Sequence, residues 1–80
     1  MSIYPNLNAE VYRLNLTYPK LAEALGMILN TLYSKVKGLR EFKLDEVEEI
    51  QHFLKERGQE RGLDINVSQE YLFRKVEEKK

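Results

Sequence analysis

The sequence predicts an all-α fold, a compact bundle of about five short helices. Three observations support this prediction. Apolar residues recur at helical spacing along most of the chain, residues that favour helix starts precede these runs, and glycines follow several of them. Because 80 residues can enclose only one core, we predict a single domain over residues 1–76. The apolar-poor residues 77–80 are predicted to be a frayed tail.

The first predicted helix follows a short N-terminal arm. Tyr4 precedes a proline and should therefore be extended, so we expect residues 1–5 to be partly mobile. Asn6 can cap a helix because its side chain can accept a free backbone N–H group. The apolar residues of this helix are Leu7, Val11 and Leu14. Asn15 is expected to end it, since asparagine tolerates the left-handed conformation.

Residues 17–38 predict two short helices joined by a tight turn at Gly26. Thr17 is a good N-cap, and Pro19 lies in the first turn, where a missing N–H group does no harm. Ala22 is small at a place where crossing helices need close approach. Gly26 can end the first helix with a positive φ. This layout is typical of a helix-turn-helix whose second helix enters the major groove of DNA.

The second of these helices, predicted over 29–37, has one apolar and one polar side. On a helical wheel Leu32 and Val36 face inward. The opposite side and its shoulder carry Leu29, Asn30, Tyr33, Ser34 and Lys37. Such side chains suit base edges, because asparagine can pair with adenine, serine can donate or accept, and leucine or tyrosine can contact a thymine methyl.

The following segment predicts a basic loop and a long helix. In the loop 37–43, Leu39 and Phe42 are expected to pack under the core, with Arg40 and Lys43 exposed. The helix should end at or before Gly58, with a loop over 58–62. Its inward-facing residues are predicted to be Leu44, Val47, Ile50, Phe53 and Leu54.

The C-terminal segment predicts one more short helix. Residues 63–67 alternate between apolar and polar, which indicates a short strand or an extended segment, and we favour the latter. Ser68 can cap the last helix. That helix carries three consecutive large apolar residues that either complete the core or form a dimer contact. They are Tyr71, Leu72 and Phe73.

Residues 17–38 resemble the helix-turn-helix of the phage repressor and Cro-type (XRE-like) regulators, and the resemblance extends from Asn6 to Leu54. The matching residues are Thr17, Leu21, Ala22, Leu25, Gly26, Leu32 and Gly38, followed by the sequence REFKLDEV. The resemblance implies a lambda-repressor-like fold, a cytoplasmic transcriptional regulator and a homodimer bound to double-stranded operator DNA. It also implies base contacts by Leu29, Asn30, Tyr33 and Ser34.

Phosphate contacts are expected around this helix because such contacts hold a protein in register on DNA. The expected residues are Thr17, Tyr18, Lys35, Lys37, Arg40 and Lys43. Residues 1–43 hold six basic and three acidic side chains, whereas residues 44–80 hold seven basic and ten acidic ones. The chain is therefore neutral but dipolar, and its positive end could face phosphates.

The sequence departs from the family where Tyr18 replaces a polar residue and Ile28 a small polar cap. Residues 27–29 thus form an apolar run at the expected turn. This run supports a second hypothesis, a protein-interaction module such as an anti-repressor or assembly adaptor. Its docking surface would consist of Met27, Ile28, Leu29 and Tyr33.

Other functions find little support in the sequence. The chain has no cysteine, and Glu48 with His52 gives two ligands where zinc normally takes three or four. One histidine and no phosphate-binding glycine loop do not suggest an enzyme. No apolar run approaches the ~20 residues of a membrane span. We therefore expect a soluble protein without cofactor, metal or evident small-molecule effector.

Overall fold

The computed structural model describes residues 2–76, and these residues form five helices and no strand. The helices are α1 (Pro5–Arg13), α2 (Tyr18–Leu25), α3 (Leu29–Val36), α4 (Leu44–Glu60) and α5 (Gln69–Leu72). The predicted all-α bundle is confirmed. Within residues 2–76, each helix is too short or too polar to cross a bilayer. The tail predicted over 77–80 lies outside the described residues.

Helix boundaries follow the local signals in several places. The hydroxyls of Thr17 and Ser68 each accept the backbone N–H three residues on, both at 3.3 Å, which caps α2 and α5. Gly26 has a φ of 67° and ends α2, and Asn15 has a φ of 60° just after α1. These four predictions are confirmed because each depends only on residues close in sequence.

All five helices contribute to one core. Its fully buried side chains are Leu7, Leu14, Leu21, Leu32, Ile50, Leu54 and Leu72. Helix α2 packs on both α3 and α4. Ala22 is 3% exposed and belongs to the buried core. A small side chain at this position allows the helices to approach each other closely.

The N-terminal segment differs from the predicted mobile arm. Tyr4 is buried, and its ring packs edge-on against Phe42 and Phe73 at centroid distances of 5.6 Å. Helix α1 begins at Pro5 without a side-chain cap. The predicted cap, Asn6, instead donates its side-chain amide to the Tyr71 carbonyl at 2.9 Å. Contacts with distant parts of the chain therefore order this segment.

Helix α4 continues past its predicted end at Gly58, and this boundary was wrong. Gly58 is buried within the helix, where a Cβ atom would come within 3.3 Å of the Leu63 carbonyl oxygen and 3.4 Å of the Ile65 side chain. The glycine thus allows residues 63–67 to cross close to α4. That segment forms no strand, the less favoured of the two predicted alternatives, and Gln51 donates to the Val67 carbonyl at 2.9 Å.

Two apolar residues near the start of α4 are also not where the sequence pattern predicts. Leu39 is 76% exposed and Leu44 is 65% exposed, although both were expected to face the core. Phe42 occupies the available space beneath this loop, packed against Tyr4 and Phe73. The aromatic cluster leaves the leucine side chains outside.

Replacing Ala22 with leucine should destabilise the fold strongly, because the larger side chain would force the packed helices apart. We expect the free energy of unfolding to fall by roughly 3 kcal/mol, which could unfold a domain of this size. Urea unfolding followed by circular dichroism measures the change. The control is Ala24→Leu on the exposed side of α2, for which we expect a change below about 0.5 kcal/mol. Equal losses in both variants would contradict this account of Ala22.

Candidate nucleic-acid interface

Helix α3 has a buried side and an accessible side. Leu32 and Val36 are buried, whereas Asn30 is exposed and Tyr33 and Ser34 are half-buried. Leu29 is half-buried and packs partly against the core. The accessible side therefore carries an amide, a hydroxyl and a phenol on successive turns, and these groups can form hydrogen bonds with base edges.

Tyr18, in α2, contacts both α3 and α1, through Tyr33 and Asn8 respectively. The two tyrosine rings meet edge-on at a centroid distance of 6.1 Å, and the Tyr18 hydroxyl donates to the Asn8 side-chain oxygen at 3.1 Å. Burial raises the pKa of the Tyr18 phenol, so it stays neutral at physiological pH. The Tyr18 ring thus limits the positions open to Tyr33, one of the predicted base-contacting residues.

Basic residues follow the C-terminal end of α3. Lys37, Arg40 and Lys43 are exposed. The backbone N–H groups of Leu39 and Arg40 donate to the Ser34 carbonyl at 2.9 and 3.3 Å, which keeps this loop against the helix. The Lys37 ammonium lies 6.0 Å from the centroid of the Tyr33 ring. Lys37 thus lies beside Tyr33 on the accessible side of α3, and Arg40 and Lys43 are exposed in the loop that follows.

Lys35 requires a correction to the predicted phosphate contacts. It is only 5% exposed, and its ammonium lies 2.6 Å from each carboxylate oxygen of Glu46 on α4. The helical wheel contains the signal for this position, because Lys35 lies about 60° from the inward-facing Leu32. Because of its positive charge, Lys35 was nevertheless predicted to contact a phosphate. Lys35 therefore holds α3 on α4 and is not available to a phosphate.

The Glu46 carboxylate has two roles at the start of α4. Besides its contact with Lys35, it accepts the backbone N–H of Lys43 at 2.9 Å. Burial alone would raise the pKa of the Glu46 carboxyl. The hydrogen bonds from Lys35 and Lys43 outweigh burial, so the pKa lies below its ordinary value near 4.5. The Glu46 carboxyl is therefore ionised at neutral pH.

The predicted dimer contact of Tyr71, Leu72 and Phe73 is corrected at Leu72. Leu72 has no exposed surface and belongs to the core. The Tyr71 hydroxyl donates to the Glu10 carboxylate at 2.7 Å, and this hydrogen bond raises the pKa of the Tyr71 phenol. The Phe73 ring packs against Tyr4 and Phe42. Leu72 therefore completes the core, and Tyr71 and Phe73 pack against it while remaining partly exposed, so a dimer contact through these two residues stays a prediction.

Comparisons with protein families, with curated proteins and with solved structures find no match to this chain. The class of protein must therefore be inferred from its own residues. They form a small all-helical domain in which two short helices meet at a glycine turn. The second of these helices exposes polar side chains beside a basic loop.

Glu46→Gln should destabilise the protein at neutral pH, because it leaves the Lys35 ammonium largely buried without a counter-charge. We expect a loss of roughly 2 kcal/mol in the free energy of unfolding. A lowered carboxyl pKa stabilises the fold above the ordinary pKa, and this contribution disappears as pH falls through the lowered value. The difference between wild-type and variant stability should therefore narrow as pH falls below the ordinary carboxyl pKa near 4.5.

Urea unfolding between pH 3 and pH 7 tests this expectation, with the pH range chosen to span carboxyl titration. The control is Glu49→Gln, which removes an exposed carboxylate from the same helix. It should change stability little at any pH in this range. A constant difference between wild type and Glu46→Gln down to pH 3 would show that charge pairing is not the cause.

Proposed function

We propose that this chain is a sequence-specific regulator of transcription that binds double-stranded DNA, of the phage repressor and Cro type that its sequence resembles. The observation that carries the proposal is the division of α3. One side is fixed in the core by Leu32 and Val36, and the other presents Asn30, Tyr33 and Ser34 to the surroundings. A helix of this kind fits the major groove, whose width admits one helix.

Base recognition would use the accessible side of α3. Asn30 is suited to bidentate pairing with adenine, because its amide both donates and accepts. Ser34, one helical turn further along, can donate or accept. Tyr33 and Leu29 would contact the methyl group of thymine. The combination of one amide with apolar neighbours favours sites rich in A·T base pairs.

Phosphate contacts would surround this helix. The residues available for them are Thr17, Tyr18, Lys37, Arg40 and Lys43, with Lys35 excluded by its burial. Lys37, Arg40 and Lys43 follow one another in a single loop, so they could track one DNA strand. The excess of three positive charges in residues 1–43 supports approach of this end to DNA.

A homodimer would be required for binding to a palindromic operator in the cytoplasm. Two copies of α3 would then lie about 34 Å apart, one turn of B-DNA, on the same face of the duplex. Because Leu72 is buried, the dimer contact must involve other residues. Leu39 and Leu44, which are exposed apolar side chains close in sequence to α3, are available for it.

Asn30→Ala and Lys37→Ala should affect DNA binding differently. Asn30→Ala should weaken binding to the preferred site by roughly 1–3 kcal/mol and relax discrimination at one base pair. Lys37→Ala should weaken binding to all sequences alike and reduce the salt slope by about one. Selection from a random DNA library followed by titration with preferred and scrambled duplexes measures both. Equal losses on both duplexes for Asn30→Ala would contradict direct base reading.

A second candidate function is a protein-interaction module, such as an anti-repressor or assembly adaptor. The observation that favours it is Ile28, which is 74% exposed at the first turn of α3. Met27 and Leu29 beside it are half-buried, so the apolar run is partly accessible. An exposed apolar side chain here would suit a protein partner better than phosphates.

A salt titration of binding to random DNA should distinguish these two functions. If Lys37, Arg40 and Lys43 each neutralise one phosphate, the log–log slope should be roughly −3 per protomer, because each neutralised phosphate releases counterions. A slope near zero would favour the protein partner. Ile28→Ser is the matched variant: it should leave DNA binding within about twofold if α3 reads DNA through Asn30. Loss of partner binding without loss of DNA binding would identify an additional protein contact.

A further inference from the structure

A groove of about 530 Å³ lies between the C-terminal end of α2 and one side of α4 from Asp45 to Glu56. Its apolar part consists of Leu25 and Phe53, both half-buried. Its acidic part consists of the side chains of Asp45, Glu48, Glu49 and Glu56. We call this the α2–α4 groove. It shares no lining residue with the accessible side of α3.

The charge of the α2–α4 groove has one sign. Among the residues described, neither lysine nor arginine lines it. His52 lies within it, and its Nε2 atom is 3.1 Å from the Glu56 carboxylate. The Arg57 guanidinium lies outside the lining, 5.2 Å from the Phe53 ring centroid, and pairs with Glu60 at 3.6 Å. The groove therefore combines an apolar floor with an unbalanced negative rim.

We propose that the α2–α4 groove binds a short basic segment of another protein. One aliphatic or aromatic side chain of that segment would pack on Leu25 and Phe53, and flanking lysine or arginine residues would pair with the carboxylates. Charge complementarity identifies this occupant, because an acidic segment or a nucleic acid would be repelled. Because the floor is apolar, the segment must also carry an apolar side chain, and a purely basic segment should bind more weakly. The proposal does not depend on DNA binding by α3.

A fluorescent peptide of about ten residues, rich in lysine and arginine with two central leucines, is the probe for this groove. A matched peptide carries serines in place of the leucines. Fluorescence anisotropy with the full chain at low salt should show binding of the leucine peptide and much weaker binding of the serine peptide. Binding should weaken as salt is raised to about 0.3 M, because the rim charges are exposed.

The double variant Glu49→Gln/Glu56→Gln tests the acidic rim. It should weaken binding of the leucine peptide roughly fivefold, as expected for two exposed charge pairs. The control variant, Asp64→Asn/Glu70→Gln, makes the same change in net charge at exposed residues outside the groove. It should leave affinity within about twofold. Equal weakening in both double variants would overturn the proposal, because it would indicate only general attraction to an acidic protein.

Amide chemical shifts during a titration with the leucine peptide test the location. Changes should concentrate at Leu25, Glu49 and Phe53, and not at Asn30 or Ser34. Changes centred elsewhere, or equal affinity for the serine peptide, would overturn the proposal.

Sedimentation without peptide provides a last test. A shift in oligomeric state in Glu49→Gln/Glu56→Gln would assign the groove to a second copy and would also overturn it. No DNA is present, so these outcomes leave the function proposed for α3 untouched.

Discussion

The contact between Lys35 and Glu46 sets the direction in which α3 faces. An isolated helix of eight residues is too short to be stable, so contacts on its buried side must hold it. Leu32 and Val36 provide apolar burial, which permits some rotation about the helix axis. The ammonium of Lys35, 2.6 Å from the Glu46 carboxylate, permits far less, because both charges lose their partner if the helix turns. Asn30 is exposed as a consequence.

The two ends of the described chain reinforce this arrangement. The backbone N–H of Ile3 donates to the Val36 carbonyl at 3.0 Å, and the Ile3 carbonyl accepts the Val76 N–H at 2.8 Å. Gly38 has a φ of 88°, and a Cβ atom there would lie 2.7 Å from the Ile3 side chain. The end of α3 is thus held by the N-terminal segment, which depends in turn on the residues after α5. Glycine suits the positive φ at position 38, and a Cβ atom there would also require the end of the Ile3 side chain to shift.

The sequence predicts those features that depend on near neighbours in the chain. The cap at Thr17 and the turn at Gly26 depend on residues within one helical turn, and both are found. The burial of Tyr4 and the continuation of α4 through Gly58 depend on contacts with residues distant in sequence, which periodicity does not contain. In the candidate interface, the wheel separates Asn30 from the core correctly. The wheel also places Lys35 on the inward side. Because lysine side chains are usually exposed, Lys35 was nevertheless expected at the surface.

Zero net charge is compatible with both proposed surfaces because the charges are segregated. The basic loop after α3 would meet phosphates, whereas the carboxylates of the α2–α4 groove would repel them and favour a basic partner. Glu46 does not add to the groove's charge, since Lys35 neutralises it. The ion pair therefore holds α3 in place without adding net charge to either surface. A chain with this division could bind DNA and a basic protein segment at the same time, because neither ligand would need residues used by the other.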